Sequence, residues 1–134
     1  MPEEMNARLS SEDGTRVSRL SNDIDPSNTS YETLRRDDFR IEGHIEKAGE
    51  WTGSWHQRYV RVHDSGVLVN LSNEGDATPR GMLLLTGASA LAVESADNTF
   101  PFVVRMGKKV VTFRVCTEQE RTEWVQAIDE VAAA

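Results

Sequence analysis

The chain has 134 residues, 38% of them hydrophobic and 28% charged, with a formal net charge of −7. That length supports one domain with a real core and is short for two. The acidic balance argues against nucleic acid as a partner, since nucleic-acid-binding domains neutralise phosphates with clustered Lys and Arg.

Eight acidic and five basic residues fall within residues 1–37, and fourteen and ten within residues 38–134, so neither part is basic. Any anion site must therefore arise from local clustering. A single cysteine, Cys116, excludes an internal disulfide. No apolar run approaches the roughly 20 residues of a membrane span. Met1-Pro2-Glu3-Glu4 lacks the basic and apolar regions of a secretory signal. The expectation is a cytoplasmic protein, peripheral on membranes at most.

Residues 1–37 read as a flexible, acidic, Ser-rich and disordered tail. Leu9, Val17, Leu20, Ile24 and Leu34 are too sparse to cover a core. Serines beside arginines, at Arg16-Val17-Ser18 and Arg19-Leu20-Ser21, suit a basophilic kinase, and Tyr31-Glu32-Thr33-Leu34 fits a generic sorting tetrapeptide. Such short patterns are common by chance, and a plain tail is the simpler reading.

From Phe39 onward the pattern changes to short β-forming runs punctuated by Gly, Asn, Asp and Ser. Strands are predicted over Ile41 to Lys47, Trp55 to His63, Val67 to Leu71, Gly81 to Leu85, Ser89 to Glu94, Phe100 to Arg105 and Val110 to Val115. Pro101 cannot donate to a ladder, so its strand begins there or lies at an edge. Thr117-Glu118-Gln119-Glu120 is a capping box, and Trp124, Ile128 and Val131 recur at helical spacing. The reading is a mainly β domain with one C-terminal α-helix.

Gly43, Lys47 and Gly49, then Trp55-x-x-Arg58-Tyr59, then Trp124 on the closing helix resemble a pleckstrin-homology (PH) domain over residues 38–134. The resemblance implies a seven-stranded, two-sheet, partly open barrel capped by a helix. It also implies a non-catalytic adaptor or targeting module that binds a phosphoinositide, or another anionic membrane headgroup, at the barrel's open end. In such domains a lysine ends the first strand, and basic residues alternate on the second because only positions i and i+2 share a face. Carried onto this chain, the headgroup residues are Lys47, His56 and Arg58, with Lys108 and Lys109 at the same mouth.

His56 stands where headgroup-binding relatives have Lys or Arg, and histidine is mostly neutral at cytosolic pH. Glu46 and Glu50 flank the same turn and would repel an anion. Weak lipid binding is the expectation, and the alternative is a protein-interaction scaffold that has lost lipid binding. No catalytic constellation, metal-ligand set or cofactor motif is recognisable. Trp51, in the turn after the first strand, either folds back on the barrel or meets a membrane or partner.

Overall fold

The computed structural model describes residues 23–24, 30–49, 53–95 and 97–134. The elements are β1 (Asp23–Ile24), α1 (Ser30–Leu34), β2 (Phe39–Ala48), β3 (Trp55–His63), β4 (Val67–Leu71), β5 (Gly81–Leu84), β6 (Ser89–Ala92), β7 (Phe100–Met106), β8 (Lys109–Val115) and α2 (Glu118–Ala133). All strand pairs are antiparallel, in the order β1-β5-β4-β3-β2-β8-β7-β6. The long strand β2 belongs to both halves. It pairs with β3 along its whole length but meets β8 only at Glu46↔Arg114 and Lys47↔Phe113. The end strands β1 and β6 do not pair with each other, so the barrel stays open.

Period-two alternation builds the core between the halves. Val60 and Val62 of β3, Leu68 of β4 and Leu83 of β5 face Phe102 and Val104 of β7 and Val111, Phe113 and Val115 of β8. Phe102 and Phe113 sit opposite each other in register, their rings stacked with centroids 5.5 Å apart. Pro101 lies at the second position of β7, where its missing N–H costs little.

Helix α2 closes one corner. Trp124, Ile128 and Val131 are buried at helical spacing against the core, each contributing about 1.5–3 kcal/mol. Trp124 lies over Gly43, where an added Cβ would sit 3.7 Å from the indole. Alanine fits at that separation and a larger side chain displaces the ring. The helix start is held reciprocally: Thr117 Oγ1 accepts from the Glu120 amide, and Glu120 Oε1 accepts from the Thr117 amide, each at 3.1 Å. Arg40 of β2 bridges Glu130 of α2 at 2.6 Å and Asp64 of the β3–β4 turn at 3.2 Å.

The segment before β2 departs from the expected tail. Residues 1–22 and 25–29 lie outside the described residues, but β1 pairs with β5 through Asp23↔Leu83 and Ile24↔Met82. Tyr31 of α1 is only 4% exposed, packed with Tyr59, Val69, Leu71 and Met82. Few apolar residues suffice here because they add to a surface the sheet already presents, rather than forming a core of their own. This is a correction to the reading of residues 30–37 as disordered.

His63, at the end of β3, is fully buried, and neither ring nitrogen has a hydrogen-bond partner among the described residues. Burial lowers its pKa, partly offset by the nearby backbone of Asp38. A base with a depressed folded pKa is protonated more readily in the unfolded chain, so stability falls as pH drops below the ordinary imidazole value of about 6.5. Thermal unfolding of the full chain should show a melting temperature that declines from pH 7 to pH 5, with a smaller decline in His63→Phe.

Candidate functional site

The face of β3 that buries Val62 and Val60 continues to Arg58 and His56, past the point where the core ends. On β2 the same alternation follows buried Ile45 with Lys47, which pairs directly with His56. On β4 it follows Leu68 with Asn70, opposite Val60. Arg80, just before β5, is tied to this wall by a 2.7 Å bond from its backbone amide to the Asn70 carbonyl.

Lys47, His56, Arg58, Asn70 and Arg80 line one cavity of about 310 Å³, with Ala48 and Gly49 completing it. An adjoining cavity of about 570 Å³ shares Lys47, Asn70 and Arg80 and adds Lys109 above Leu68, Leu83 and Phe113. The structure thus brings together Lys47, His56, Arg58 and Lys109. Lys108 lines neither cavity: it occupies the exposed tip of the β7–β8 hairpin, beside Gly107 with its positive φ of 61°.

Like charges crowd at the mouth. Burial and then the neighbouring charge of Arg80 lower the pKa of Arg58, so two guanidiniums share one space. Arg58 donates to the Gln57 carbonyl at 2.8 Å and Arg80 to Ser72 Oγ at 3.3 Å. Buried Asn70 Oδ1 has no partner among the described residues, at an ordinary cost of about 1–3 kcal/mol. Its carboxamide offers donors and an acceptor to a bound hydroxyl or phosphate.

The expected repulsion from Glu46 is absent for a geometric reason. Glu46 alternates to the face opposite Lys47 and binds Arg114 at 2.6 Å, while Arg114 also lies 4.2 Å above the Trp55 ring. Asp76, on the Ser72–Arg80 loop, turns inward to accept from the Asn73 amide at 2.9 Å. Glu50 and Trp51 lie outside the described residues. Sequence reasoning missed Asn70 and noted Arg80 only as the cation that ends a possible rim loop, Ser72 to Arg80. Asn70 was readable as the next inward position after Leu68 on β4. Arg80 joins the wall through its backbone bond to Asn70, a non-local pairing that the loop sequence does not specify.

A family model described as PH domain matches residues 39–133. The RAC serine/threonine-protein kinase of Drosophila melanogaster is 31% identical over 103 residues, covering 69% of this chain and 17% of the kinase. The chain therefore spans less than a fifth of that relative's length. Among solved structures, the carboxyl-terminal PH domain of pleckstrin superposes with a TM-score of 0.63 at 27% identity, covering 71% of this chain and 98% of that one. The same pleckstrin domain in complex with D-myo-Ins(1,2,3,5,6)P5 gives 0.64 at 26% identity, with 72% and 98% covered.

A buried polar atom without a partner costs stability. Asn70→Leu should therefore raise the melting temperature of the full chain, as measured by calorimetry.

Proposed function

Because the chain belongs to the PH-domain family, matched from residue 39 to 133, we propose that it is a non-catalytic targeting module whose open mouth takes a phosphoinositide headgroup. The observation that carries this reading is the convergence of Lys47, Arg58 and Arg80 on one cavity, with His56 opposite Lys47 and Lys109 on the adjoining wall. A cluster of cations beside a polar carboxamide suits a multiply charged phosphate better than a carboxylate or a neutral ligand. The pleckstrin domain that this chain resembles has been solved with inositol pentakisphosphates, and that chemistry supports the same class of ligand here. Lys108, at the hairpin tip, then faces the anionic surface rather than the headgroup.

Magnitudes make the binding weak. Each Lys or Arg near an anionic leaflet contributes about 1 kcal/mol. Lys47, Arg58, Arg80 and Lys109 together give about 4 kcal/mol, an affinity near millimolar. Higher affinity rests on charge-assisted hydrogen bonds of about 1.5–3 kcal/mol each, and His56 supplies no permanent charge. No helix among the described residues is long and apolar enough to cross a membrane, and the proposed location is cytoplasmic with peripheral membrane contact.

A protein-interaction role is the second reading. It is favoured by Leu91 (49% exposed) and Val93 (41% exposed) on and just after the end strand β6. Addition of a partner strand there is opposed by α2, since Asp129 accepts from the Ala90 amide and Arg121 donates to the Val93 carbonyl.

Co-sedimentation of the full chain with vesicles carrying each phosphoinositide, at physiological salt, tests the proposal. Lys47→Ala/Arg58→Ala and Arg58→Ala/Arg80→Ala should each reduce binding about tenfold or more. A folded protein that binds no vesicle retires the lipid reading in favour of a protein partner.

A further inference from the structure

Strands β3, β4 and β5 have a second apolar face. Tyr59 of β3, Val69 and Leu71 of β4 and Met82 of β5 form a cluster separate from the main core, with Val67 packed at its margin. These positions alternate with residues of the cavity: Tyr59 follows Arg58 and Leu71 follows Asn70, while Met82 shares their outer face through its pairing with Val69. The outer face is covered by Tyr31, buried to 4% exposure, and by half-buried Leu34. Burial is also the main reason that the Tyr59 hydroxyl is pushed up to about 12, with the Glu42 carboxylate adding to it. His44 of β2 stacks edge-on against the Tyr59 ring at 4.9 Å.

A five-residue helix is too short to persist alone in water, so α1 owes its shape to this docking. Its first anchor is the backbone ladder of β1 on β5, and its last turn is closed by bonds from the Arg35 amide to the Tyr31 carbonyl at 2.9 Å and from the Asp37 amide to the Leu34 carbonyl at 2.8 Å. The whole strap lies ahead of residue 39, where the family match begins. It is an addition to the shared fold, fastened to the rear of the cavity wall.

We propose that β1 and α1 act as an intramolecular ligand of β5 and of the outer face of β3–β5, and that seating this strap and binding an anion at Arg58, Asn70 and Arg80 are coupled. The physical link is short. The strap packs against the outer residues of β3, β4 and β5, and the cavity depends on the same strands holding Arg58, Asn70 and Arg80 at fixed separations. Arg80 in particular is tied to the wall by its backbone bond to Asn70, across the two strands whose Leu71 and Met82 lie in the cluster that the strap covers. Linkage makes the effect reciprocal: an anion that prefers the clamped wall also holds the strap down.

This coupling rests on the headgroup reading above, and one experiment separates their failures. Full-length wild type, Tyr31→Ala and the milder Leu34→Ala are titrated with a soluble inositol pentakisphosphate by calorimetry. Amide hydrogen exchange at Arg35 and Asp37 is followed in parallel. The expected result is slower exchange at both amides when wild type binds the polyphosphate. Both variants should keep their circular dichroism and bind about fivefold more weakly or worse, the change that a typical coupling between sites produces. Should Tyr31→Ala fail to fold, Leu34→Ala decides alone. Wild-type binding with unchanged affinity in the folded variants overturns the coupling and leaves the headgroup reading intact. Absence of binding by wild type removes the headgroup reading and the coupling with it.

Discussion

The alternation of β3 is the constraint from which the rest of the molecule follows. One face of that strand carries Val62, Val60, Arg58 and His56 in succession, so the apolar core and the cationic mouth are consecutive stretches of a single surface. Neighbouring strands repeat the change at the same level, Ile45 to Lys47 on β2 and Leu68 to Asn70 on β4. The corner at α2 is filled by Trp124 and Ile128, and the opposite end is left to polar groups. A register slip of one residue on β3 would turn Tyr59 and Arg61 toward the core and Val60 and Arg58 away from it. Core stability and site geometry are therefore not independent properties of this chain.

Much of this was legible before any coordinates. The strand Trp55–His63 has the predicted bounds, the other predicted strands shift by no more than two residues at either end, and α2 starts at the expected capping box. These elements are readable because β-formers alternate between turn residues and the helix carries its own start signal. Lys47, His56 and Arg58 line one cavity and Lys109 the adjoining one, placements that follow from alternation and hairpin pairing, which are local rules. Lys108 departs because a turn residue obeys no alternation.

What escaped was non-local. Arg80 follows an eight-residue loop, and nothing in that loop encodes which neighbour it meets. The strap was hidden by the sparse apolar content of the first 37 residues, since two side chains are enough when a prepared surface receives them. A signal for that surface existed: Val67-Leu68-Val69 is apolar without alternation, which marks a strand covered on both faces.

The acidity of the chain and the cationic mouth are compatible because charges are sorted by face. Glu46 is held away from Lys47 by Arg114, and Glu42 is held on the outer face by Arg61 at 3.0 Å. Net charge thus says little about the local field at a cleft whose members all come from one side of a sheet.

The central claim is that this mouth is where a phosphorylated ligand binds. Its most direct test is to follow backbone and Arg side-chain NMR resonances of the full chain while adding a soluble inositol polyphosphate. The account predicts saturable shifts concentrated at Lys47, Arg58, Asn70 and Arg80, with the α2 face silent. Shifts centred elsewhere, or none up to millimolar ligand, would contradict it.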